Sequence, residues 1–368
     1  MQGFWGIKMQ GPLHIIEPTL VSDAGHCSSF VRSICGAAGT PAQIMLWAGK
    51  EYTPSDFLPL VKVKGYFHRR WRKVQGYFLY RALLRQPGRV FVATAGRTDL
   101  LLLDWAARGE IPPRKVFCFI HWLRLDEKKQ LQLRRIALRQ PGLVLLAPTE
   151  LIAAQLRDCA FKNVQVVPYP ITSCPVAEQQ APGFRHILSA GAARADKGIV
   201  HIAAFVAHLE ECGENIPMIV QSSPDHYGKY DDATRQALAR MAALSYPPLT
   251  FQSETLPLDE YFWLFNGAIC LQLYDRQDFA DRISGITLDA MSCGAPVVAL
   301  SGTWIARVVS RFSAGEVVAE VEPVAVLDAV RRIMADYETY RGNARRAGEA
   351  LQAENSGEHL YRILMAEP

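Results

Sequence analysis

The chain has 368 residues, 49% of them hydrophobic, and a formal net charge of only +4. That length and apolar content exclude a single small domain and suffice for two separate cores. The eight cysteines are scattered singly with no C-x-x-C pair, which argues against a disulfide framework or a zinc site and fits reduced thiols in a cytosolic protein. No apolar run reaches the length of a membrane span and no cleavable signal is evident, so the expected location is cytoplasmic.

The predicted elements begin with a buried strand at Pro12–Glu17, followed by a loop that turns into a helix near Gly25, and by a second strand ending at Trp47. In a doubly wound sheet ligands sit beyond the carboxyl ends of the strands, which makes the loop carrying Gly25 and His26 a natural contact point. From Lys62 to Arg89 the chain carries nine Lys and Arg and no Asp or Glu. Within this block Phe67, Trp71, Val74 and Phe78 recur at helical spacing, surrounded by Arg69, Arg70, Arg72 and Lys73. Such a face can pack on its own domain, as amphipathic helices usually do, or lie on an anionic membrane. Nucleic acid is not expected, because no recognised binding module accompanies the charge.

Arg89–Thr94 and Lys115–Ile120 read as further parallel strands, and His121 directly follows the second. A histidine at the carboxyl end of a central strand points into the ligand crevice, with a structural histidine as the alternative. A helix over Asp126–Arg139, a strand at Leu143–Ala147 and a strand at Val164–Val167 complete a first domain, residues 1–172. Residues 173–185 lack periodicity and read as a linker.

A second domain, residues 186–344, restarts with a strand at His186–Ser189 that runs into G-A-A-R-A-D-K-G. Arg194 and Lys197 there are two cations suited to a phosphate, since Arg offers paired hydrogen bonds and Lys a point charge. The spacing is not that of a Walker A loop. Further on, Asp275, Asp278 and Asp281 populate a loop, Ser284 is placed to cap a helix, and Gly294 to end it. Gly285 leaves the N-terminus of that helix unobstructed, so its N–H groups could receive a phosphate. Asp289 lies within the helix, and Pro296–Leu300 follows as a strand covered on both faces.

Asp281 and Asp289, separated by seven residues and followed by A-M-S-C-G-A-P-V-V, resemble the E-x7-E motif of retaining glycosyltransferases of the GT4 family, with aspartate at both acidic positions. The G-A-A-R-A-D-K-G stretch resembles the element carrying the family's arginine and lysine, in the R-x-x-K-G form of one subgroup. The resemblance implies an α/β protein of GT-B architecture, two Rossmann-like doubly wound domains facing a central cleft. A C-terminal helix over about 345–368 would pack back on the first domain.

It also implies that Arg194 and Lys197 neutralise the donor diphosphate, that Ser284, Gly285 and Ile286 present the helix N-terminus to it, and that Asp289 holds ribose hydroxyls. Asp281 and His121 would contact the transferred sugar, and Gly25 would face donor and acceptor. The expected substrate is a nucleotide sugar, UDP- or GDP-linked, with no permanently bound cofactor and no metal. The expected acceptor is a glycan, lipid-linked or a polysaccharide precursor. The block over 62–89 would meet an anionic membrane, as a peripheral protein on its inner face. Two alternatives remain open: a nucleotide-sugar epimerase of the same fold, and a catalytically silent nucleotide- or lipid-binding subunit.

Overall fold

A computed structural model describes residues 11–22, 26–37, 44–53, 61–170, 183–222, 230–254 and 256–366. Gly25, the side chain of His26 and most of the expected linker lie outside the described residues. The chain divides into two compact units, one of residues 1–172 with 355–368 and the other of residues 173–354. The return to the first unit thus begins at Asn355, later than the expected start near 345.

Unit 1 contains β1 (Leu13–Ile16), α1 (His26–Gly36), β2 (Ile44–Gly49), β3 (Val61–Phe67), α2 (Arg72–Leu83), β4 (Arg89–Val92) and α3 (Arg97–Ala106). It continues through β5 (Val116–Phe119), α4 (Glu127–Arg139), β6 (Val144–Ala147), α5 (Glu150–Asp158) and β7 (Asn163–Val166). All seven strands are parallel, in the order β3-β2-β1-β4-β5-β6-β7. Strands β1, β4, β5 and β6 are buried throughout, as expected of mostly apolar strands in a sheet covered on both faces.

The basic block differs from its sequence reading. Phe67 closes β3 and is buried at 3% exposure, so it does not share a helical stripe with Trp71, Val74 and Phe78. Helix α2 instead buries Gly76, Leu79, Tyr80 and Leu83, and turns Trp71, Val74 and Phe78 outward at 64%, 51% and 60% exposure. The apolar spacing was therefore that of the outer face. The short-range pattern could not say which of two apolar stripes met the core.

Unit 2 contains β8 (His186–Ser189), α6 (Ile199–Glu211), β9 (Met218–Gln221), α7 (Asp232–Ala242), β10 (Leu249–Gln252), α8 (Leu258–Trp263), β11 (Ala268–Gln272) and α9 (Arg276–Phe279). It continues through α10 (Gly285–Ser292), β12 (Val297–Leu300), α11 (Trp304–Phe312), β13 (Gly315–Val318), α12 (Pro323–Ala335) and α13 (Tyr337–Glu354). Its six strands are parallel, in the order β10-β9-β8-β11-β12-β13. Helix α13 packs on the back of α10 so closely that a Cβ at Gly348 would stand 2.5 Å from the Met291 carbonyl oxygen. The last helix, α14 (Gly357–Met365), belongs to unit 1 and packs on α1.

Each sheet reverses its winding once, between β1 and β4 in unit 1 and between β8 and β11 in unit 2. Ligands of open parallel sheets bind beyond the carboxyl ends of the strands at such reversals. The two reversals are chemically opposite. In unit 1 the carboxyl end of β1 holds the fully buried Glu17, which accepts hydrogen bonds from Thr19 N (3.0 Å) and Thr94 Oγ1 (2.6 Å). In unit 2 the corresponding space is taken by the ammonium of Lys197.

Candidate functional site

The loop after β8 is shaped by two left-handed glycines. Gly191 (φ +90°) starts it, and its N–H donates to Gln221 Oε1 at 2.6 Å. Gly198 (φ +77°) ends a single 3₁₀ turn over Ala195–Lys197, and a Cβ there would stand 2.1 Å from the Leu273 carbonyl oxygen. Only glycine lets this turn press against the end of β11. The contact is tied by Asp275 N donating to the Asp196 carbonyl at 3.0 Å.

That close approach aims Lys197 inward. Its Nζ lies 5.7 Å from the centre of the Tyr274 ring, and 3.1 Å from the point where a Gly191 Cβ would stand. Ile286 Cδ1, from the first turn of α10, is 3.1 Å from the same point. Gly191, Lys197 and Ile286 therefore converge on one small space. Burial pushes the Lys197 ammonium down to about 8, helped by the nearby cations of Arg194 and Arg282 and opposed by Asp196 and Asp289.

Helix α10 opens onto the same space. Ser284 is its N-cap and Ser284 Oγ accepts from Thr287 N at 3.3 Å, while the position of a Cβ on Gly285 meets nothing within 4 Å. The first-turn N–H groups lie at the positive end of the helix dipole. Beneath the helix, Thr287 Oγ1 donates to Gln272 Oε1 at 2.5 Å and fixes α10 to the end of β11.

Asp289, one turn further along, accepts a hydrogen bond from the Tyr261 hydroxyl at 2.7 Å. Burial raises the Asp289 carboxyl to about 6, although the Tyr261 bond and the Lys197 charge both favour its ionised form. Burial is the larger effect on both residues. Both groups are mostly charged at once only between about 6 and about 8.

Arg194 is drawn to Asp196 through Nε to Oδ1 (2.8 Å) and a second bond from its terminal nitrogen to Oδ2. Arg282 also reaches Asp196 Oδ2, at 3.5 Å, and stacks its guanidinium 4.8 Å from the Phe279 ring centre. Asp281 lies on the same loop, where its Oδ1 accepts from Arg307 of α11 at 2.6 Å. Asp275 caps α9 through Asp278 N at 2.8 Å. Among the described residues no three His, Cys, Asp or Glu side chains come together as a metal site.

Of the residues singled out in the sequence, Arg194, Lys197, Ser284, Gly285, Ile286 and Asp289 are gathered at the unit 2 reversal. Asp281 sits on the adjoining loop, engaged by Arg307. His121 belongs to unit 1, where its Nε2 lies 2.8 Å from the Ala93 carbonyl oxygen. A carbonyl only accepts, so that nitrogen carries the proton. The ring is enclosed by Phe119, Tyr169 and Phe30 at centre distances of 5.0 Å, 5.1 Å and 5.2 Å. Tyr261, Gln221 and Arg282 were not singled out in the sequence. Arg282, next to Asp281, could have been found as a third cation of the loop. The other two are distant in the chain and left no local signal.

No family model matches the sequence, and no curated relative matches it. Solved structures do match, over nearly the whole chain. Sucrose-phosphate synthase from Thermosynechococcus elongatus superposes with a TM-score of 0.71 at 15% identity, covering 97% of this chain and 100% of the other. HepE from Anabaena in complex with UDP-glucose gives 0.67 at 12% identity, covering 96% and 98%. WaaG, a glycosyltransferase involved in lipopolysaccharide biosynthesis, gives 0.66 at 14% identity, covering 96% and 100%. The chain has the GT-B fold, built of two parallel α/β units like these structures.

Proposed function

We propose that the protein is a glycosyltransferase that moves a sugar from a nucleotide-sugar donor to a glycan acceptor with retention of anomeric configuration. The observation that carries this reading is the convergence of the Lys197 ammonium, the glycine at 191 and the open N-terminus of α10 on one space. It offers a diphosphate one half-buried cation and a set of oriented N–H groups. Lys197 and Arg194 neutralise the charge that grows on the leaving nucleoside diphosphate as its bond to the anomeric carbon breaks. The acceptor oxygen forms its new bond on the same face of the sugar, and the departing phosphate oxygen takes the acceptor's proton. Asp289 holds the ribose hydroxyls, while Asp281 contacts the transferred sugar.

The similarity to HepE, whose structure holds UDP-glucose, supports a UDP-sugar ahead of a GDP-sugar. The similarity to WaaG, a glycosyltransferase involved in lipopolysaccharide biosynthesis, supports a lipid-linked glycan as acceptor. A second reading, a nucleotide-binding subunit without turnover, is favoured by one contact, the Arg307 ion pair that occupies Asp281. Incubation with UDP- and GDP-sugars and a panel of glycan acceptors, with release of free nucleoside diphosphate as readout, separates the two. Release that depends on acceptor is expected. A thermal shift with nucleotide but no release with any acceptor would establish the silent subunit instead.

A further inference from the structure

The stretch between β11 and α10 carries two arginines, Arg276 and Arg282, with different partners. Arg276 Nε donates to the Ser301 carbonyl at 3.1 Å, and a terminal nitrogen reaches Glu320 at 3.3 Å. It ties the loop to the ends of β12 and β13. Arg282 instead reaches Asp196, in the turn after β8, at 3.5 Å. Its guanidinium lies 4.8 Å from the centre of the Phe279 ring, and Phe279 meets Tyr274 edge-on with centres 4.6 Å apart. Lys197 Nζ lies 5.7 Å from the centre of the same Tyr274 ring. Phe279 and Tyr274 are both buried, so they form a fixed aromatic pair with a cation at each end.

Asp196 gathers a second guanidinium as well, since Arg194 Nε donates to it at 2.8 Å. Two such groups carry more N–H donors than one carboxylate can accept. The charge balance shows what the third cation adds. Lys197 feels the charges of Arg194, Arg282, Asp196 and Asp289. Without Arg282, two cations would face two carboxylates and cancel. With it, the cluster is cationic. Arg307 and Asp281 leave this balance unchanged, because they pair with each other at 2.6 Å.

We propose that Arg282 is a phosphate-binding residue and meets the phosphate that is bonded to the donor sugar. The inference rests on the glycosyl-transfer reading, in which Asp289 meets the ribose and Asp281 the sugar. Arg282 adjoins Asp281 in the chain and lies two residues before Ser284, the N-cap of α10, which assigns it to the sugar end of the diphosphate. As the bond from the anomeric carbon to the phosphate oxygen breaks, its electron pair stays on that oxygen. The phosphate beside Arg282 thereby gains a negative charge, and a guanidinium there stabilises the departing group more than the intact donor.

Isothermal titration of UDP and UMP, with GDP and GMP run alongside, into the wild type and Arg282→Gln tests it. Glutamine keeps an apolar stem and a hydrogen-bonding amide but loses the charge. Affinity for the diphosphate is expected to fall about tenfold or more in this variant. Affinity for the monophosphate, which lacks the second phosphate, is expected to change less than about twofold. Arg282→Lys, which restores the charge without the fork, is expected to recover part of the diphosphate affinity. Equal losses for diphosphate and monophosphate would overturn the proposal, because Arg282 would then act only by shaping its loop. A lysine variant that binds the diphosphate no better than the glutamine one would overturn it too. A wild type that binds neither diphosphate overturns the donor reading and this inference together. A wild type that binds one, with Arg282→Gln binding it equally well, overturns the inference alone.

Discussion

The Tyr261 hydroxyl donates to Asp289 Oδ2 at 2.7 Å, joining helix α8 to the middle of helix α10. The aspartate is one methylene shorter than the glutamate of the motif it resembles, so its carboxylate stands closer to the helix and has fewer rotamers. Tyr261 holds one of its oxygens.

Removing that hydroxyl has two consequences. Tyr261→Phe takes away a hydrogen bond to a charged group, which lowers nucleotide affinity about tenfold, equivalent to about 1.4 kcal/mol. It also removes an influence that favours the ionised carboxylate, so the acid limb of the binding profile moves to higher pH. Calorimetric titration of a UDP-sugar across a pH series measures both. A loss of affinity with no movement of the limb would make Tyr261 merely structural.

The pH dependence of binding and that of the empty protein run in opposite directions. Asp289 is raised to about 6, so the folded state holds its proton more tightly than the unfolded chain, and stability falls as pH rises from the ordinary carboxylate range to 6. Lys197 is lowered to about 8, so the folded state gives up its proton more easily, and stability rises again from 8 toward the ordinary lysine range. Binding of a UDP-sugar, whose phosphates stay ionised throughout, needs both charges and is expected to peak between about 6 and 8. Asp289→Asn removes the acid limb and Lys197→Ala the basic one. A flat profile in the wild type would remove these two residues from the site.

Backbone geometry yields a stability test. Gly198 and Gly213 both have positive φ, at 77° and 64°, but a Cβ at 198 would meet the Leu273 carbonyl oxygen at 2.1 Å, whereas one at 213 meets nothing within 4 Å. Gly213→Ala is therefore expected to cost only the left-handed conformation, about 1 to 2 kcal/mol. Gly198→Ala adds a backbone clash and is expected to cost more, and to weaken nucleotide binding by pushing Lys197 away from the end of β11. Urea midpoints compare the two. Equal losses would mean that the turn is not fixed by this contact.

Much of unit 2 was legible because its signals are local. Ser284 and Gly294 mark the ends of α10, and the apolar run after Pro296 marks β12, each within a few residues of the feature it predicts. The gathering of Arg194, Lys197 and Asp289 was legible only through a resemblance, since 91 residues separate Lys197 from Asp289. Their partners were not. Tyr261 lies 28 residues before Asp289 and Arg307 lies 26 after Asp281, and no period or motif links either pair. In unit 1, Phe67 was assigned to a helical stripe because its spacing from Trp71 and Val74 fits one; strand pairing with β2 overrides that spacing.

The central claim is that unit 2 receives the diphosphate of a nucleotide on Lys197. Isothermal titration of UDP into the wild type and Lys197→Ala tests it most directly. The wild type is expected to bind one UDP per chain, and the alanine variant, folded by circular dichroism, about 10- to 100-fold more weakly, as befits the loss of a charge-assisted contact. A wild type that binds neither UDP nor GDP, or a variant that binds as tightly as the wild type, would contradict it.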